Sequence, residues 1–233
     1  MNEDFQYIKN QDNITLARYD GSAEYVEIPA TIENLPVKII GAYTFLNCTS
    51  IKAVYIPDSV TEIDENAFEG CSSLEFISIP DSVTEIWDYA FYLCTSLKYI
   101  KLPKYITEIA CGTFTGCKSL EWIHIPEFVT KIGEYAFAGE LAFDDERGEY
   151  LKNCCLSLKM VNIPDSVTEI GAYAFSGCKS LKSIKIPKSV KKVGESAFYA
   201  CYHIAILNLE SKIIPETAEV GLGCFDGWAQ ICE

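Results

Sequence analysis

Ile163 to Lys185, IPDSVTEIGAYAFSGCKSLKSIK, is a unit that the chain repeats almost letter for letter. IPDSVTEIDENAFEGCSSLEFIS begins at Ile56, IPDSVTEIWDYAFYLCTSLKYIK at Ile79 and LPKYITEIACGTFTGCKSLEWIH at Leu102, so these copies abut with a period of 23 residues. A fixed period of this length signals a solenoid. One copy cannot bury its own apolar face, and a stacked neighbour supplies the missing partner. Every other feature is therefore read in register with the repeat.

Working outward, the repeat region spans residues 28–208. Its first unit, Ile28 to Tyr55, is five residues longer than the standard, with the extra residues around Glu33 to Pro36. The unit at Ile125 is interrupted after Gly139 by fifteen residues, ELAFDDERGEYLKNC (140–154), and resumes at Cys155. Units at Ile163 and Ile186 follow. Residues 209–233 read as a degenerate last unit, because the Ile-Pro start and the inner Phe are lost while Cys224 survives. At the other end, residues 1–27 do not fit the repeat. FQYIKN, ITLARYD and EYVEIP are strand-like, punctuated by Gln11-Asp12-Asn13 and Asp20-Gly21-Ser22. Terminal units must shield an otherwise open core, so a β-hairpin cap is expected there and a decayed cap at the C-terminus.

Within a unit, SLKSIKIP carries apolar residues at the spacing L-x-x-I-x-I, the alternation of a half-buried strand closed by proline. SVTEI is either a second short strand or a turn on the opposite wall. AFSGC is expected to turn Ala, Phe and Cys inward as a helical turn ending at Gly. Two inner ladders result: Phe45, Phe68, Phe91, Phe114, Phe137, Phe175 and Phe198, and Ile51, Leu74, Leu97, Leu120, Leu158, Leu181 and Ile204.

The eleven cysteines lose their redox look in register. Cys48, Cys71, Cys94, Cys117, Cys155, Cys178, Cys201 and Cys224 share one position, and only Cys111, Cys154 and Cys232 fall outside it. A ladder with rungs about 4.8 Å apart holds Cβ atoms beyond the roughly 3.5–4.5 Å of a disulfide, so reduced, buried thiols are expected.

Composition narrows the function classes. Across 233 residues the chain is 49% hydrophobic with a net charge of −14, which opposes nucleic-acid binding and anionic membrane surfaces. No apolar run approaches the roughly 18 residues needed to span a bilayer, so no membrane insertion is expected. MNEDFQYIKNQDNITL lacks a basic start followed by an apolar stretch, so no signal peptide is read there.

The pattern IPxSVTxIGxxAFxGCxxLxxI in 23-residue steps resembles the BspA-like leucine-rich repeat family over about residues 28–208. The resemblance implies an α/β-type, right-handed leucine-rich-repeat solenoid of mostly short parallel strands with helical or 3-10 turns. It also implies a bacterial or protist protein, at the cell surface or secreted, that adheres to or recognises protein partners, host or extracellular-matrix proteins among them. Without a visible signal, a cytoplasmic location stands as the alternative. A monomer is expected.

The outward positions of the strand point to where binding would occur. Before the second sheet Ile stand Ala53, Phe76, Tyr99, Trp122, Met160, Ser183 and Ile206; after it stand Tyr55, Ser78, Lys101, His124, Asn162, Lys185 and Asn208. Tyr55, Phe76, Tyr99, Lys101, Trp122, His124 and Met160 are therefore the candidate ligand-binding residues for a protein or glycan, with the stripe on the expected concave face. Contiguous exposed rings mark interaction sites, although neighbouring rings can also merely stabilise one another across strands. The VTEI position carries Glu62, Glu85, Glu108, Lys131, Glu169 and Lys192, which read as a solvated edge. A ladder gives identical environments, whereas a catalytic pair needs two different ones. His124 and His203 stand far apart, and no Ser-His-Asp set, phosphate loop or metal-spaced motif is present. No enzyme, cofactor or metal is expected. The acidic insertion, with Asp144, Asp145, Glu146 and Glu149, reads as a surface loop more readily than as a binding element. Two functions remain: an interaction module, or a structural spacer of a larger surface protein with no ligand of its own.

Overall fold

The structure, a computed structural model, describes residues 4–144, 148–152, 155–201 and 219–223. The segments 209–218 and 224–233 of the expected C-terminal cap, with Cys224 and Cys232, lie outside the described residues, as do Asp145, Glu146, Cys154, His203, Ile204, Ile206 and Asn208. A typical repeat contributes two short strands and one turn, giving three walls around a single core cluster.

The front wall consists of Tyr25–Glu27, Ala53–Tyr55, Phe76–Ser78, Trp122–His124, Met160–Asn162 and Ser183–Ile184, paired in parallel where neighbours meet. Tyr25–Glu27 belongs to the solenoid rather than to the cap, because it pairs residue for residue with Ala53–Tyr55. SVTEI resolves as a second strand. Its Glu-Ile pair, or the equivalent, forms a side wall running from Leu35–Ile40 through Glu62–Ile63 to Glu85–Ile86. The wall resumes from Glu108–Ile109 through Lys131–Ile132, Glu169–Ile170 and Lys192–Val193 to Glu219–Val220.

The turn wall departs from the expected helical turns: no helix forms among the described residues. The amides of Tyr43, Phe45 and Asn47 donate to the carbonyls of Glu65, Ala67 and Glu69 one rung on, and later turns repeat this. A helix would spend those amides internally; here alternate ones tie rung to rung. Left-handed residues bracket each turn, such as Asn66 (φ 54°) and Gly70 (φ 69°), or Gly112 (φ 60°) and Gly116 (φ 79°). Glycine suits these positions, yet Tyr89, Tyr135 and Tyr173 also adopt left-handed backbone, at φ 55–56°.

Inside the turn wall the seven phenylalanines stack, with successive centroids 4.8–5.6 Å apart and planes within 12°. Tyr19 and Phe5 close the upper end, with ring centroids 5.3 and 6.1 Å from that of Phe45. They come from the N-terminal hairpin, Phe5–Lys9 paired antiparallel with Ile14–Tyr19, whose second strand also pairs in parallel with the side wall. The extension of the first repeat lies in a small hairpin, Thr31–Ile32 against Leu35–Pro36. Glu33 and Asn34 turn it at positive φ, as a two-residue primed turn requires.

Both strand walls are interrupted at one level. Tyr99–Lys101 forms no front strand, and side-wall pairing stops between Ile86 and Glu108. Across this seam the turn wall stays bonded, Tyr89 to Cys111, Phe91 to Thr113 and Leu93 to Thr115. Two carboxylates also reach across it: Asp81 accepts from Lys104 N at 3.0 Å and Asp88 from Cys111 N at 2.9 Å. The insertion pairs Glu140–Asp144 with Gly148–Lys152 as an antiparallel hairpin.

Candidate functional site

Strand alternation decides what the front wall shows to solvent. Val54, Ile77, Ile100, Ile123 and Val161 point into the core, so the residues on either side of each point out. Tyr55, Phe76 and Trp122 are between 43% and 48% exposed and Met160 is 61% exposed; Lys101 and His124 are exposed, and Tyr99 is half-buried. The structure brings the rings together in two pairs rather than one continuous stack. Tyr55 and Phe76 lie 5.9 Å apart between centroids, on one side of the seam. Tyr99 and Trp122 lie 4.5 Å apart, tilted by 34°, on the other. Trp122 registers with Met160, and His124 with Asn162. Tyr99 keeps the outward orientation although its rung forms no strand.

Sequence reasoning missed two features of this face. Tyr25, 66% exposed, extends the outward row by one rung through its register with Ala53 and Phe76. The signal was present, since YVEIP matches FISIP position for position. The second is a row of alternating charge just before the strands: Glu24, Lys52, Glu75, Lys98, Glu121 and Lys159. Lys52 bonds Glu24 at 2.9 Å, Lys98 bonds Glu75 at 2.9 Å and Lys159 bonds Glu121 at 2.8 Å. The hydrogen bond from Lys98 holds the Glu75 carboxyl below the usual range, and Lys159 does the same for Glu121. All these groups are solvent-exposed, so the row sets register and charge pattern more than stability.

The side-wall row behaves as a solvated edge with alternating sign beyond the seam. Lys131 sits in register between Glu108 and Glu169, and Lys192 between Glu169 and Glu219, bonding Glu169 at 2.9 Å. Glu62 accepts a hydrogen bond from the Trp87 indole at 2.7 Å.

The cysteine ladder has a hydrogen-bonding role. Each buried thiol donates to the carbonyl of the Phe one repeat earlier: Cys71 to Phe45 at 3.1 Å, Cys94 to Phe68 at 3.2 Å and Cys117 to Phe91 at 3.3 Å. Burial pushes the Cys71, Cys94 and Cys117 thiols far above their ordinary pKa, so they are poor nucleophiles. Cys48, expected to be buried with them, is only half-buried; it stands in the first rung of the ladder. Cys111 is half-buried too, its sulfur 3.5 Å from the Tyr89 hydroxyl. Among the described residues, no group of three or more His, Cys, Asp or Glu is placed to hold a metal ion. No helix there is long and apolar enough to cross a membrane.

A family profile described as BspA type leucine rich repeat region matches residues 18–143 and 147–231, in 6 copies. A search of curated proteins finds no match. The chain is similar to a leucine-rich repeat protein of T. pallidum at 30% identity and a TM-score of 0.77, covering 93% of this chain and 97% of that one. It is similar to a leucine rich cell surface protein of Faecalibacterium prausnitzii A2-165 at 31% identity and a TM-score of 0.74. That match covers 93% of this chain and 54% of the other, so this chain spans about half of that protein. A leucine-rich repeat protein of Bacteroides ovatus ATCC 8483 shares 26% identity at a TM-score of 0.53, over 97% of this chain and 68% of that one.

Proposed function

The chain belongs to the BspA-type leucine-rich repeat family, and from that premise we propose that it is a non-enzymatic, adhesin-like module that binds protein through its front face. One observation carries the reading. Tyr99 and Trp122 hold their rings 4.5 Å apart in an outward row that carries Ser183 two rungs beyond Trp122. The core does not require rings at these positions, since small polar residues fit the same strands. Trp and Tyr at the centre of an interface are the residues that most often dominate its affinity. Phe76 and Tyr55 form a second ring pair, while Lys101, His124 and Met160 border the first. A location at the cell surface is consistent with the cell surface protein of F. prausnitzii, to which the chain is similar.

Binding of the purified chain to immobilised extracellular-matrix proteins, followed by biolayer interferometry, tests this. Changing Trp122 and Tyr99 together to Ala should weaken binding by about tenfold or more, with the melting profile unchanged. Undiminished binding by that variant overturns the assignment of the face. Absence of binding by the unaltered chain favours a spacer within a longer surface protein.

A further inference from the structure

Charge is distributed unevenly along the front face. Before the seam its outward rows carry Glu24, Glu27 and Glu75 against one cation, Lys52. Beyond the seam they carry Lys98, Lys101, Lys159, Lys182 and Lys185 against one anion, Glu121. Lys101, Lys182 and Lys185 are exposed and make no ion pair among the described residues. In a chain of net charge −14 this local excess of lysine runs against the composition. We infer that the half of the front face beyond the seam docks an extended acidic segment of a partner polypeptide. The inference rests on reading this face as an interaction surface and adds the chemistry of the partner.

The geometry suits such a segment. Residues two apart on a strand share a face and lie roughly 7 Å apart, so His124 stands beside Trp122 and Asn162 beside Met160, while the exposed Lys101 and Lys185 follow Tyr99 and Ser183 at the same sequence spacing. Two rows therefore run along the solenoid axis, one apolar through Tyr99, Trp122 and Met160 and one with a lysine at each end, Lys101 and Lys185, around His124 and Asn162. An extended peptide alternates its side chains to left and right. Laid between the rows, it can set apolar groups on Tyr99, Trp122 and Met160 and carboxylates on the lysines. From Lys101 to Lys185 is three rung steps of about 4.8 Å, the reach of about four extended residues. Met160 favours a peptide over a sulfated sugar, since an exposed thioether is a soft apolar contact and offers no ring face for stacking. A Debye length of about 8 Å at physiological ionic strength lets these rows, rather than the net charge, govern the last step of docking.

Fluorescence anisotropy with a labelled decapeptide alternating glutamate and alanine tests the inference, against the same peptide with glutamine for glutamate. The acidic peptide should bind about tenfold more tightly or better. Reversing Lys101→Glu and Lys185→Glu together should remove that preference, whereas Lys191→Glu on the side wall should leave it unchanged. Equal binding of the two peptides, or indifference to the front-face reversal, overturns the inference. So does a heparin-like oligosaccharide that binds through these lysines when the acidic peptide does not. If the Trp122 and Tyr99 changes abolish matrix-protein binding while the lysine reversals do nothing, the face remains the binding surface and only the acidic partner falls.

Discussion

The turn wall and the front wall are built from the same 23-residue unit and obey opposite rules. In the turn wall Phe recurs in seven rungs, because each ring is the floor of the next and each thiol bonds a carbonyl one rung back. In the outward rows of the front wall alanine, phenylalanine, tyrosine, tryptophan, methionine and serine follow one another at a single position. The contrast teaches where residue identity is dictated. Inside, the neighbour along the axis dictates it; outside, only solvent or a partner can. A position that varies here is free of the fold, which is why its rings are informative.

The contrast would break if an inner ring could be removed cheaply. Phe114 lies mid-stack, fully buried, with Phe91 and Phe137 at 5.6 and 5.4 Å. Phe114→Ala should cost about 3–5 kcal/mol and lower the denaturant midpoint sharply. Midpoints equal to those of the unaltered chain would show that stacking is not what holds the rungs.

Close approach of backbones gives the next largest effect. A Cβ on Gly171 would lie 2.6 Å from Glu134 N and 2.7 Å from the Gly133 carbonyl carbon. Gly171→Ala should destabilise by about 1–3 kcal/mol through forced backbone movement. Asp64 and Trp87 occupy the same position before the seam, so Trp87→Ala there should cost less than the glycine change. A chemical-denaturation series on both variants checks the order.

Legibility in the sequence followed the same division. The period, the two inner ladders, the cysteine register and the 140–154 insertion could be read because axial repetition writes them into one letter pattern. The helical turns could not be judged correctly from AFSGC alone. Gly177 does end its turn, yet whether Phe175 N bonds within the turn or across to Ala197 depends on the stacked neighbour. The seam was equally hidden: its unit matches the consensus, and Asp81, whose carboxylate reaches across it, has a counterpart at Asp58 where no seam forms. Of the site, the outward ring row was legible from alternation. The alternating Glu and Lys row was not, because its meaning appears only when residues 23 apart are placed side by side.

Removing one thiol from the ladder sharpens the comparison at smaller scale. Phe68 O also accepts from Cys71 N, so Cys94→Ala orphans no carbonyl and should cost only about 1 kcal/mol. In the unaltered native chain, thiol titration near pH 8 should modify Cys48 and Cys111 before Cys71, Cys94 or Cys117, whose thiolates burial disfavours. Ready labelling of the inner ladder would contradict the packing.

The smallest effect belongs to the exposed charge row. The partners Glu75 and Lys98 shift in opposite directions, the carboxyl down and the ammonium up, each through their shared hydrogen bond. A lowered carboxyl pKa contributes stability at pH above the unfolded value, and that contribution is lost as pH falls through the folded one. A raised ammonium pKa contributes below the unfolded value and is lost as pH rises through the folded one. The row therefore contributes across neutral pH and fades at both extremes. Because both side chains sit in water and are screened, Lys98→Ala should leave the melting midpoint within replicate scatter at physiological salt. At low ionic strength a small decrease should appear near pH 7 and vanish below the ordinary glutamate range. A large, salt-independent decrease would mean that the lysine stem packs on Tyr99 or Glu75 as part of the fold, and the outer face would then be less free of the core than its variability indicates.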